Sequence, residues 1–191
     1  MPGALYRVLF DLAADQHGYF VVTQARDAGV SPMALVMMAR RGSVERMSHG
    51  VYRLAQFPLS PLGQYMEAAL WPGGGVRGVI SHESALAMFD VSDASPAKIH
   101  VTVPRTFRTH RRVPANLVLH HADLDEPDTD VLEGIPVTTL ERTVQDCAQA
   151  HLGAGVLRDA IDDGRKLGLL TQSVAKRLRL LVDDVARRSA A

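Results

Sequence analysis

The sequence predicts an α+β protein: a small N-terminal unit, then a mixed body with a helical C-terminus. Three observations predict it. Apolar residues recur at helical spacing through the first 41 positions and give way to two short β-prone pieces. Residues 98–103 alternate Ile99, Val101 and Val103 with His100 and Thr102, the two-residue period of a half-buried strand. From Leu140 onward the apolar spacing is helical again.

Taken in order, Leu5, Val8, Leu9, Leu12 and Ala13 form one face of a first helix, stopped at His17-Gly18. Residues 19–22 are short and β-prone. Thr23 is placed to cap a second helix that reaches Ala28 and breaks at Gly29-Val30. Ser31-Pro32 restarts a third helix, because serine accepts from the free amides and proline suits the first helical position. That helix runs to Arg41 and stops at Gly42. Residues 43–47 and 51–54 are β-prone and are separated by Ser48-His49-Gly50. Helix, short helix, turn, helix and β-hairpin is the order of a winged helix-turn-helix, which sets the helix after the turn into a DNA major groove. The prolines between 57 and 61 place the boundary, giving a winged unit over 1–56 and a second domain over 57–191.

In the body, Ser60-Pro61 opens a helix with Leu62, Tyr65, Met66 and Ala69 on one face. Residues 71–75 form a loop, and Val79-Ile80 leads to Ser81 as cap of a short helix through Phe89. Residues 117–120 are a second strand candidate, with 104–114 between the strands as a basic loop or hairpin tip. Residues 135–138 are extended and end in a threonine cap. Helices follow at roughly 139–151, 155–167 and 172–188.

Composition bounds the function classes. The chain has 191 residues, 47% hydrophobic and 22% charged, which is globular rather than disordered. One cysteine, Cys147, excludes an internal disulfide framework and reads as a small buried hydrophobe. No apolar run approaches the roughly 18–20 residues of a membrane span, and Met1-Pro2-Gly3-Ala4-Leu5 lacks a leader's basic and apolar parts, so a cytoplasmic protein without membrane contact is expected. Net charge is zero, with 21 basic and 21 acidic residues, but the charge is patchy. Lys98, Arg105, Arg108, Arg111 and Arg112 lie together without an acid, and Asp123, Asp125, Glu126, Asp128, Asp130 and Glu133 follow.

Several runs resemble AbiEi-type antitoxins. In the N-terminal unit they are 16–20 (QHGYF), 24–31 (QARDAGVS), 40–42 (RRG) and 50–54 (GVYRL). In the body they are 80–86 (ISHESAL), 100–104 (HVTVP) and 136–143 (PVTTLERT), so the likeness spreads over about 145 residues in the same order. The resemblance implies a bacterial type IV toxin–antitoxin pair. Members repress their own operon by binding promoter DNA through the winged helix, and the rest of the chain counteracts a nucleotidyltransferase-fold toxin. Neutralisation in such pairs is often indirect.

DNA contact is expected from Thr23 and Gln24 at the second helix start, Ser31 and Met33 at the third, Arg40 and Arg41 at its end, and Arg46, His49 and Arg53 on the wing. Their main work would be phosphate neutralisation, which fixes position without reading sequence. The third helix carries no Arg, Lys, Asn or Gln before Arg40 to read a base edge, so a protein-binding or dimer face stays open beside DNA binding. Palindromic DNA would require a homodimer, because the chain holds one winged unit. Arg105, Arg108, Arg111 and Arg112 form a second candidate, a loop offered to an anion or an acidic partner, against the plain reading of a solvated loop neutralised by the acidic run.

The remaining motifs argue for little chemistry. Gly73-Gly74-Gly75 with Arg77 lacks the GxxxxGK[ST] phosphate-loop pattern. His82, Glu83 and Ser84 are neighbours on one helix and face different ways, so a helix cap explains them better than catalysis. His100, His110, His120 and His121 lack a metal-ligand spacing, so neither metal nor cofactor is expected. Asp162-Asp163 and Asp183-Asp184 read as exposed ion pairs, and no (D/E)xK nuclease signature occurs. Catalysis therefore has no assigned residue. An ATP-dependent protein kinase that modifies the toxin, and a non-catalytic toxin-binding module, remain the alternatives to the repressing antitoxin.

Overall fold

The computed structural model describes residues 3–92 and 96–189; Met1 and Pro2, read above for a leader, lie outside them. The chain divides into two compact units, residues 1–78 with 133–135 and residues 79–132 with 136–191.

The first unit begins with α1 (Ala4–Ala13), whose apolar stripe buries Leu9 and Ala13. A 3-10 turn (Ala14–Gln16) follows. The chain then reverses through His17 and Gly18, both at positive φ. Gly18 has to be glycine for two reasons. Its φ is +84°, and a Cβ there would sit 2.5 Å from the Phe57 ring. Strand β1 (Tyr19–Val21) runs directly into α2 (Val22–Asp27).

Thr23 does not cap α2, contrary to expectation. Val21 is the capping residue, and its amide donates to Gln24 Oε1 at 2.9 Å. A long side chain three residues into the helix reaches back to the first free amide, which a threonine already inside the helix cannot do. Helix α3 (Pro32–Arg40) starts as expected, with Ser31 Oγ accepting from the Ala34 amide at 3.2 Å and proline at the first helical position.

Strands β2 (Val44–Ser48) and β3 (Val51–Leu54) form an antiparallel hairpin, and β1 adds on the other side of β3. The three helices and this sheet enclose one core of Leu9, Ala13, Phe20, Ala25, Val30, Leu35, Val44 and Leu54. Helix α4 (Gly63–Leu70) belongs to the same compact unit and buries Met66, Ala69 and Leu70.

The second unit is built on a five-stranded sheet in the order β6-β5-β4-β8-β7. Its strands are β4 (Val79–Ile80), β5 (Ile99–Val103), β6 (Leu117–His121), β7 (Thr129–Leu132) and β8 (Ile135–Thr138). Strands β5 and β6 pair in parallel, Ile99 opposite Leu117 through Val103 opposite His121. The basic stretch between them is therefore not a hairpin tip. It is a crossover that returns the chain to the same end of the sheet before β6 begins. Strand β7 follows a 3-10 turn (Glu126–Asp128) inside the acidic run, where no strand was expected.

Helix α5 (His82–Phe89) follows β4, and α6 (Leu140–Gln149), α7 (Ala154–Lys166) and α8 (Gln172–Ser189) close the chain. Thr139 caps α6 through the Arg142 amide. The helices share a core of Leu140, Val144, Cys147, Leu157, Ile161, Leu178 and Val182 with Leu86 and Val91. The aspartate pairs lie as expected: Asp183 meets Arg158 at 2.7 Å, Asp163 meets Lys166 at 2.7 Å, Asp184 meets Arg188 at 2.8 Å, and Asp162 meets Arg179. Among the described residues, no helix is long and apolar enough to cross a membrane.

Candidate nucleic-acid interface and a histidine cluster

The N-terminal unit exposes one face of α3. Its core side carries Leu35, and the opposite side presents Met33, Val36 and Met37, with Met33 70% exposed. Spacing of three and four residues places Met33, Val36, Met37 and Arg40 along one stripe. Arg40 and Arg41 end that stripe with exposed guanidiniums, and Arg46 and His49 are exposed on β2 and in the hairpin turn. A cationic edge beside an apolar face attracts phosphate but offers little to read bases with.

Not all the expected contact residues are available. Arg53 is only 4% exposed. Its guanidinium donates to the Phe57 carbonyl oxygen and faces Glu45 at 3.7 Å, so it ties the hairpin to the following loop instead of meeting a ligand. Arg53 lies on the central strand of the sheet, opposite Tyr19 on β1 and Glu45 on β2, and its guanidinium sits over the Tyr19 ring, 5.9 Å from the centroid. Gln24 holds the Val21 amide and donates to Gln16 Oε1 at 3.1 Å, and Ser31 is occupied as a cap. Thr23 is partly exposed at the α2 start.

In the second unit, the basic crossover is anchored by Phe107, whose ring is buried, and by the Arg105 amide donating to Asp123 Oδ1 at 3.0 Å. Arg108 is exposed but folds back along its own loop, donating to the Arg105 and Phe107 carbonyls at 2.6 and 2.8 Å. Arg105 and Arg112 are exposed, and Arg111 is partly so.

The same unit gathers three histidines that sequence spacing keeps apart. His82 opens α5, His100 lies on β5 and His120 on β6. Parallel pairing sets His120 opposite Thr102, two residue pairs along the ladder from His100 opposite Val118, so both imidazoles lie on the same face of the sheet. His120 Nε2 is 3.1 Å from His100 Nδ1, and the His82 and His120 rings stack at 3.6 Å between centroids. His82 adopts φ +52°, a left-handed conformation that a side chain seldom takes without a reason in its surroundings. Burial, reinforced by the neighbouring imidazoles, pushes His82 and His120 down to about 4 and lowers His100 as well. All three rings are therefore neutral at pH 7, and of the two nitrogens that His100 and His120 bring together one donates and the other accepts.

Hydroxyls hold this cluster. Ser81 Oγ contacts His82 Nδ1 at 3.0 Å and accepts from Thr102 Oγ1 at 2.8 Å. The Ser81 amide donates to the His100 carbonyl, and the His100 amide donates to Ser84 Oγ. Ser81 thus serves the histidines rather than capping α5 with its side chain. Nearby, Arg142 bridges Asp128 at 2.7 Å and Asp146 at 2.9 Å. Burial raises the Asp146 carboxyl, against the pull of Arg142. Sequence reading missed the cluster because its members come from three elements with no shared local period. The alternation that turns His100 and Thr102 to one side of β5 was the only trace of it.

Comparison with known proteins places the N-terminal unit. No curated protein matches the chain. Among solved structures, the RV2827C protein from Mycobacterium tuberculosis is similar at a TM-score of 0.51 and 16% identity, covering 97% of this chain and 78% of that one, which is a likeness of fold. Residues 7–55 match the family described as "Transcriptional regulator, AbiEi antitoxin". Those residues run from within α1 through β3, and over them the chain is similar to that family, in line with the likeness read from the sequence.

Proposed function

We propose that the chain is the antitoxin of a bacterial toxin–antitoxin pair, a repressor that binds the promoter DNA of its own operon through a winged helix-turn-helix. The family match over 7–55 carries this reading. Support comes from the element order: α2, a turn, α3 and the β2–β3 hairpin, with Arg40, Arg41, Arg46 and His49 exposed. In this reading α3 enters the major groove and the hairpin is the wing. The functional division lies near residue 56, and the remainder, 57–191, neutralises a nucleotidyltransferase-fold toxin, directly or through its substrate. The work belongs in the cytoplasm, on DNA, and as a homodimer where the operator is palindromic.

The test is promoter binding by the double variant Arg40→Ala, Arg41→Ala, titrated across salt. Loss of two phosphate contacts lowers affinity for all sequences and reduces the salt slope by roughly 1.8. An unchanged slope in a folded double variant would falsify the docking. The exposed Met33, Val36 and Met37 support a second use of the same face, contact with a protein, because apolar side chains on an open helix gain most from a dry partner. Met33→Glu separates the two: it abolishes a protein contact and, if the face meets DNA, weakens DNA binding through charge repulsion alone.

A further inference from the structure

We propose that His82, His100 and His120 form a site for one divalent transition-metal ion of the zinc class, with three imidazole ligands and an open fourth position. The ligand atoms of the three residues all lie within 4.8 Å of one another. A tetrahedral zinc ion holds its nitrogens at about 2.0–2.1 Å, which sets them roughly 3.3 Å apart. The observed 3.1 Å between His100 Nδ1 and His120 Nε2 already meets that spacing. Closing the third side takes a turn of the His82 ring about its Cβ–Cγ bond, which unstacks it from His120.

The surroundings suit the ion. Ser81 Oγ lies 3.0 Å from His82 Nδ1 and engages that nitrogen, which leaves Nε2 as the ligand atom that the turn brings toward the other two. Thr102 in turn holds Ser81, so the ligand is supported by a second rank of hydrogen bonds. Two carboxylates act on the cluster, Glu83 on His100 and Asp146 on His120, while Arg142 acts on His82. Imidazole nitrogen selects zinc, copper, iron and nickel over magnesium and calcium, which prefer oxygen. Three protein ligands are the number that catalytic zinc sites use, the fourth position being left to water or a bound anion. The left-handed φ of His82 gains an explanation: it holds the imidazole at the mouth of α5, against β5 and β6, instead of along the helix.

The experiment uses the full chain, free of any histidine tag and stripped with EDTA, titrated with Zn2+ against a chromophoric chelator and, separately, with Co2+. The expected result is one equivalent per chain and a Co2+ visible spectrum of tetrahedral type. His100→Gln and His120→Gln should each weaken binding by at least about tenfold, since even supporting residues of metal sites have effects of that size. His110→Gln, at an exposed position on the crossover, should bind like the parent. Equal binding by His120→Gln and the parent overturns the site, as does less than one tightly held equivalent in the parent at micromolar Zn2+. Should the variants fail to fold, ring 15N resonances of the unaltered protein decide. The shifts of His82, His100 and His120 move together on adding Zn2+ if the site is real. Movement confined to exposed histidines, or none, overturns it.

Discussion

In the N-terminal unit the residues offered for contact are neighbours along the chain. Arg40 and Arg41 end α3, and Arg46 and His49 follow within ten residues on the hairpin. In the second unit the residues that meet, His82, His100 and His120, come from one helix and two strands, and long-range sheet pairing assembles them. The first arrangement is a local surface, robust to how the rest of the chain packs. The second exists only when the sheet is in register. A one-residue slip between β5 and β6 would turn His120 to the other face and dissolve the cluster. Surfaces of the first kind can be read from a linear sequence, and sites of the second kind cannot.

The largest effect should come from emptying the head's core. Phe20 is fully buried and stacks near Tyr52. Phe20→Ala should cost about 3–5 kcal/mol, enough to unfold a small unit. Promoter binding should be lost while the Co2+ spectrum persists. Loss of both together would show that the two units fold as one and would break the contrast.

A smaller effect is expected at Arg142, which bridges two carboxylates at part-buried positions. Arg142→Ala leaves Asp146 unpaired, and the cost should be about 2 kcal/mol, between exposed and fully buried pairs. Urea unfolding measures it, and adding Asp146→Leu should restore most of the loss. A further drop in the double variant would mean that Asp146 holds something else in place.

The smallest effect is a matter of pH. Burial pushes the Cys147 thiol up to about 12, and Glu83 and Asp146 add to it. An unfolded thiol titrates near 8.5, so between about 8.5 and 12 the native state binds more protons than the unfolded one. Stability therefore falls as pH rises through that window and is insensitive to this group below it. Cys147 should resist a disulfide reagent at pH 8 in the native protein and react fully in denaturant. Fast labelling of the native chain would mean that the helical core opens readily.

Much of the element pattern was legible because it rests on local rules. Ser31-Pro32 announces α3, the alternation of 98–103 announces β5, and the three C-terminal helices follow their apolar spacing. Failures occurred where neighbours distant in sequence decide. Strand β7 lies in a charged run whose own pattern is weak, and its place beside β8 makes it a strand. The direction of β6 depends on the crossover, which no alternation records. Arg53 was expected at the surface because arginine usually is, and β1 covers it. The cap of α2 was misread because Thr23 is the commoner capping type, whereas Gln24 had the reach.

The sheet of the second unit also sets a timetable. Strand β4 pairs in parallel with β8 through Ile80 and Val137, 57 residues apart in sequence. The β2–β3 ladder of the first unit closes within a dozen residues, from Val44 to Leu54. Closing a long loop must precede the contacts that reward it, so folding slows as paired segments lie farther apart. On a chain made from its N-terminus, the head can complete its ladder while β8 is still inside the ribosome. The ladder of the first unit thus matures ahead of the sheet that gathers the histidines.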